Sequence, residues 1–109
     1  MYTVDQAKWS KLDIFNQMAN IYSEVGRSFN SQNSTDRDAA IARAIDLFDA
    51  TVRDLSGHNS PKLKEVLRAK EQYLTIVSNK VADYDAQQSL DRYFMHYAVA
   101  ARLHKLQDR

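Results

Sequence analysis

The chain has 109 residues, with 15 Lys and Arg against 14 Asp and Glu, two Gly, one Pro and no Cys. That length supports one domain with a self-sufficient core, and the lack of Cys excludes a disulfide framework, a thiolate metal site and cysteine chemistry. A formal net charge of +1 gives no general attraction to the polyanionic backbone of nucleic acid.

The segment Met1-Tyr2-Thr3-Val4-Asp5-Gln6 carries neither a basic leader nor an apolar run. No stretch approaches the roughly eighteen apolar residues of a membrane span. The expectation is a cytoplasmic protein, neither exported nor membrane-embedded.

The first predicted helix covers about residues 4–29. Thr3 and Gln6 are spaced as a capping box, and Leu12, Phe15, Met18, Tyr22, Val25 and Phe29 recur by three and four, which places them on one helix face. Gly26 lies on the same stripe, where it marks either a close helix crossing or tolerance of the ~1 kcal/mol that Gly costs a helix relative to Ala. Asn30-Ser31-Gln32-Asn33-Ser34 then breaks the pattern, because these side chains compete for backbone hydrogen bonds.

A second helix is expected over about 36–56, opened by Thr35 and Asp38 as a capping box and closed by Gly57 in a left-handed cap. Its stripe of Ile41, Ala44, Ile45, Phe48, Val52 and Leu55 is widened by Ala40, Leu47 and Ala50, so it should touch two neighbours. Asn59-Ser60-Pro61 is the sharpest boundary: Ser60 suits an N-cap, and Pro61 suits the first helical position, where its missing N–H costs nothing. The third helix, about 61–80, carries Leu63, Val66, Leu67, Lys70, Tyr73, Leu74, Val77 and Val81 at helical spacing. The fourth, about 86–106, has Asp85 and Gln88 as its capping box. Leu90, Tyr93 with Phe94, Tyr97 with Ala98, and Ala101 form one of its stripes, and Met95, Val99, Leu103 and Leu106 a second. A helix apolar on two sides needs two partners.

Short joints favour antiparallel neighbours, so the predicted fold is all-α: a single-domain, antiparallel, up-down-up-down four-helix bundle over residues 1–109. The wide apolar faces of the second and fourth helices either close that core or make a homodimer seam. The second helix is acidic, with Asp36, Asp38, Asp46, Asp49 and Asp54, and the third is basic, with Lys62, Lys64, Arg68 and Lys70. That opposition sets the register of two neighbours or solvates two faces, since an exposed pair contributes only about 0–1 kcal/mol. Glu24 with Arg27, Arg43 with Asp46, Asp49 with Arg53 and Arg68 with Glu71 have the spacing of local helix-supporting pairs.

A di-metal bundle needs Glu from two helices and Glu-x-x-His from two others. Glu24, Glu65 and Glu71 are the only Glu residues, none is followed by His at that spacing, and His58, His96 and His104 are dispersed. No Gly-rich loop precedes a helix to cradle phosphate. Neither a metal nor a cofactor is expected.

Two resemblances bear on function. Arg53-Asp54-Leu55-Ser56-Gly57-His58, an Arg followed by a polar residue, three others and a His in an all-α setting, resembles the Arg-x(4–6)-His motif of the HEPN ribonuclease superfamily. That resemblance implies a dimer-built, metal-independent ribonuclease in which His58 acts as general acid and base on the ribose 2′-OH and Arg53 stabilises the phosphorane-like charge. Here the motif closes the second helix, whereas the superfamily usually carries it near the last long helix. At a helix end His⁺ and Arg also complement the helix dipole. Ser23-Glu24-Val25-Gly26-Arg27, residues 43–49, residues 63–71 and residues 90–102 are together similar to a family of short bacterial helical proteins to which no activity attaches.

The residues point first to a non-enzymatic helical protein that acts through self-association or by binding another protein. Tyr93, Met95, Val99, Leu103 and Leu106 are the candidate interface, being aromatic and apolar types favoured there. The alternatives are the ribonuclease with Arg53 and His58, and a weak nucleic-acid binder using the basic third helix, which Glu65 and Glu71 oppose.

Overall fold

The computed structural model describes residues 4–107, with the side chains of His104 and Gln107 outside that description. The fold is all-helical: α1 is Gln6–Ser10, α2 Ile14–Asn30, α3 Ser34–Gly57, α4 Leu63–Ser78 and α5 Tyr84–Gln107, with no strand among the described residues.

Among the described residues five helices stand where four were expected, because the segment over 4–29 is interrupted. The Asp5 carboxylate accepts the Lys8 N–H at 3.2 Å and caps α1; the Asp13 carboxylate accepts the Asn16 N–H at 2.8 Å and caps α2. Asp is a strong N-cap because its short side chain reaches an N–H that the helix leaves unpaired. Leu12 falls into the joint and is 37% exposed, so it leaves the core stripe to which its spacing assigned it. Thr3, the expected cap, lies outside the described residues.

Three further boundaries move for similar reasons. Asn33 caps α3, its side-chain oxygen accepting the N–H groups of Thr35 and Asp36 at 2.8 and 3.1 Å, in place of the expected Thr35. Asp83, not Asp85, opens α5 by accepting the Ala86 N–H at 3.0 Å. Pro61 sits in a turn ahead of α4, while the Ser60 hydroxyl accepts the Lys62 N–H at 3.2 Å.

The end of α3 departs from expectation at Gly57, which is an ordinary helical residue without positive φ. The left-handed residue is Asn59, with φ 51°. Around it the Ser60 N–H reaches the Leu55 carbonyl at 3.0 Å and the Asn59 N–H reaches the Ser56 carbonyl at 3.3 Å. These are the paired bonds of a Schellman motif, and Asn tolerates the left-handed region better than other residues with a Cβ.

α2 packs against α3 and α5, α4 packs against the same two, and α1 lies on α3. The widened apolar face of α3, with Ala40, Ala44, Leu47 and Ala50 buried, is what lets it meet α1, α2 and α4. The centre is aromatic. Phe29, Tyr73, Phe48 and Phe94 follow one another at centroid distances of 5.8, 6.0 and 5.9 Å, and Tyr22 stacks on Phe94 at 5.6 Å. Such pairs contribute about 0.5–1.5 kcal/mol each beyond the area they bury. Inside this cluster the Tyr73 hydroxyl donates to Ser28 Oγ at 2.8 Å, and Ser28 donates to the Val25 carbonyl at 2.6 Å, so neither buried hydroxyl lacks a partner. A Cβ added at Gly26 would find no atom within 4 Å, which assigns this glycine to tolerance rather than to a close crossing.

α1 is held to α3 by polar contacts around a buried indole. Trp9 Nε1–H donates to Thr51 Oγ1 at 2.9 Å, and the Gln6 amide donates to the Ala50 carbonyl at 3.0 Å. The buried Gln17 amide donates to the Trp9 carbonyl at 3.0 Å and to the Asp54 carboxylate at 3.1 Å, tying α1, α2 and α3 together.

Candidate interaction surface

α3 and α5 each have 24 residues, whereas α2 has 17 and α4 has 16. At ~1.5 Å per residue the longer pair spans about 36 Å and the shorter pair about 24–26 Å. The surplus of α5 lies at its C-terminal end. Tyr97 meets Phe15 in the first turn of α2 at a ring distance of 6.3 Å and Glu65 in the first turn of α4 at 2.7 Å, so the residues after it run past both neighbours. Among the described residues no side chain beyond Tyr97 is buried.

The inward face of α5 is fully committed before that point. Leu90, Phe94 and Tyr97 are buried at spacings of four and three, as one helix face requires. The Tyr22 hydroxyl donates to the Asp91 carboxylate at 2.7 Å, and that bond, with burial and the Asp91 charge, pushes Tyr22 up to about 12. Burial, reinforced by the hydrogen bond it donates to Glu65, pushes Tyr97 up to about 12 as well. Lys62 sits 5.9 Å from the Tyr97 ring centroid and 3.8 Å from the Glu65 carboxylate, which fastens the start of α4 to the middle of α5.

The outward face is different. Met95, Val99, Leu103 and Leu106 are 45%, 50%, 54% and 54% exposed and follow one another by four, four and three. Arg92, Met95, His96, Val99, Ala100 and Leu103 line an open groove of about 480 Å³ along this face. Four of the five candidate interface residues therefore share one solvent-facing stripe. Tyr93 does not: it is partly buried, packs edge-on against Phe94 and Tyr97 at 5.5 Å each, and has an enclosed hydroxyl. Burial raises the pKa of that hydroxyl.

Arg53 and His58 share no hydrogen bond, ion pair or ring contact among the described residues. His58 Nδ1 lies 2.8 Å from the Asp54 carbonyl and 3.8 Å from the Asp54 carboxylate, so its ring sits over the end of its own helix, and Arg53 is exposed. His96 lies in the α5 groove, and the side chain of His104 is outside the description. No three His, Asp or Glu side chains among the described residues converge as metal ligands.

The charges of α3 and α4 meet once, where Lys70 donates to Asp49; Lys62 pairs locally with Glu65. Of the four expected local pairs, Glu24 with Arg27 forms at 2.8 Å. Arg43 turns across to Glu24 at 3.1 Å, and Asp49 takes Lys70, because each has a cation or carboxylate on a neighbouring helix within reach.

The Trp9, Gln17, Thr51 and Asp54 cluster escaped sequence reasoning because it joins residues far apart in the chain. The available signal was Asp at positions 5 and 13, whose capping preference breaks the first segment and frees α1 to fold onto α3. Comparisons with protein-family models, curated proteins and solved structures find no match. Among the described residues, no helix is long and apolar enough to cross a membrane.

Proposed function

We propose that this chain is a non-enzymatic helical protein that acts by self-association, with the outward face of α5 from Met95 to Leu106 as its contact surface. In this reading the four long helices behave as an up-down-up-down bundle, α1 is an accessory cover for α3, and a second copy covers α5. The observation that carries it is the contrast in cover: α3 and α5 are equally long, α1 shields the far end of α3, and the stripe on α5 stays open.

The occupant is taken to be a second copy because the stripe complements itself. Pairing two α5 helices antiparallel about Val99 sets Leu103 of one copy opposite Met95 of the other. The same pairing sets Arg92, which lines the groove, opposite Leu106 of the other copy, so burial of the apolar stripe and not charge carries the contact. The reading places the protein in a bacterial cytoplasm, a reducing compartment that suits a cysteine-free composition.

Because the chain has no Cys, a single introduced thiol reports this geometry cleanly. Val99→Cys lies near the two-fold axis and is expected to give a disulfide-linked dimer under mild oxidation, while exposed Thr35→Cys on α3 stays monomeric. Equal cross-linking at the two positions, or none at Val99→Cys, rejects this seam.

A further inference from the structure

At the end of the molecule away from the α5 surplus, the last turns of α2 and α4 and the first turns of α3 and α5 surround a cleft of about 340 Å³. Besides Ser28 and Ser31 its polar lining has Arg37, Asn79, Lys80, Tyr84 and Gln87, with Phe29 among its apolar residues and neither Asp nor Glu among the lining residues. Two helix C-termini and two N-termini meet there, so the helix dipoles oppose one another. The sign of the cleft is therefore set by side chains, and the two cations in its lining are Arg37 and Lys80.

These side chains are uncommitted. Among the described residues, Arg37, Asn79, Lys80, Tyr84 and Gln87 make no side-chain hydrogen bond and no ion pair, although Asp36 and Asp38 lie next to Arg37 in sequence and Asp83 and Asp85 flank Tyr84. Asp83 is engaged in capping α5. The Ser28 hydroxyl at the cleft is satisfied by Tyr73 and the Val25 carbonyl, so it adds no free acceptor that would compete for the cations. Arg37 is partly buried and lines the cleft.

We infer that this cleft is a binding site for a small organic anion, a carboxylate or phosphate ester with a compact planar body. Arg37 and Lys80 take the charged head, the Asn79 and Gln87 amides complete its hydrogen bonds, and the body lies against Phe29, Ile76 and Tyr84. The volume is at the small end of the roughly 300–1,000 Å³ of ligand pockets, which limits the body to about one ring. Arg suits the head because its planar fork matches carboxylate and phosphate oxygens in pairs. The inference does not depend on self-association.

The test is a ¹H–¹⁵N chemical-shift titration of the full chain with phenyl phosphate, benzoate and inorganic phosphate. Saturable shifts at Arg37, Lys80 and Gln87 are expected from at least one of the two aromatic anions, at least about ten-fold tighter than from inorganic phosphate, a gap of ~1.4 kcal/mol. Arg37→Gln and Lys80→Gln should each weaken binding about ten-fold, the scale of one charge-assisted hydrogen bond, while Arg53→Gln on the opposite end leaves it unchanged. Lys80 is exposed, so its variant keeps the test valid if Arg37→Gln fails to fold. No saturation by either aromatic anion, equal binding of inorganic phosphate, or wild-type binding by the Lys80 variant overturns the inference.

Discussion

α3 and α5 are the same length and overrun the same neighbours, yet they end in opposite circumstances. The far half of α3 is covered by α1 through Trp9 on Thr51 and Gln6 on Ala50, whereas the far half of α5 presents Val99, Leu103 and Leu106 to solvent. The difference lies in cover: the described residues ahead of α2 fold back onto α3 as α1, whereas no described residue covers the outward stripe of α5. Length alone does not bury a helix; a neighbour must reach as far as it does.

The largest effect expected from this contrast separates the two halves of α5. Phe94→Ala removes a fully buried ring in contact with Tyr22 and Phe48 and should cost about 3–5 kcal/mol, whereas Leu103→Ala in dilute protein should stay within about 0.5 kcal/mol. Urea unfolding of the two variants measures this directly, and similar losses at both positions would mean that the end of α5 is already covered within one chain.

Next in size is the cover on α3. Thr51→Val leaves the buried Trp9 N–H without an acceptor and should cost about 1–3 kcal/mol. Trp9 is the only Trp, so its fluorescence should also show α1 detaching before the remainder unfolds. A single transition with unchanged midpoint would show that α1 is held by packing alone.

Smaller gains come from the two glycines, both helical, neither with positive φ, and both with open space where a Cβ would stand. Gly26→Ala and Gly57→Ala should each stabilise by about 0.5–1 kcal/mol. A loss at Gly57 would point back to a left-handed cap there, since only a residue that needs glycine's freedom resents the methyl group.

A further expected effect is confined to alkaline pH. Tyr22 and Tyr97 ionise near 12 in the folded chain against about 10 when unfolded, so the unfolded state loses its protons first. Their contribution is complete below pH ~10 and is lost as the pH rises toward ~12. Tyr22→Phe should make the decline in melting temperature over that window shallower, and an unchanged slope would remove Tyr22 from the account.

The helical class and much of the core were legible because the three-and-four spacing of Phe48, Tyr73, Leu90 and Phe94 survives any topology. The ends of helices were less so. Capping competes locally among several candidates, and Asn33, Asp83 and Asn59 took positions that Thr35, Asp85 and Gly57 also suit by type. The exposed stripe on α5 was readable as a second apolar face. Tyr93 carried two readings: its spacing set it on the Leu90 stripe, where it packs against Phe94 and Tyr97, while its residue type made it an interface candidate, which its inward turn does not support. The anion cleft was invisible, since Arg37 and Lys80 lie on segments far apart in the sequence and meet only where four helix ends converge.

If a second copy covers the far half of α5, the mass in solution must show it. Light scattering behind a sizing column, over a range of protein concentrations, should give twice the 12.6 kDa of one chain, with Leu103→Glu reverting to a single chain without loss of helical signal. A mass of one chain at every concentration would contradict the account and leave the stripe from Met95 to Leu106 without its proposed partner.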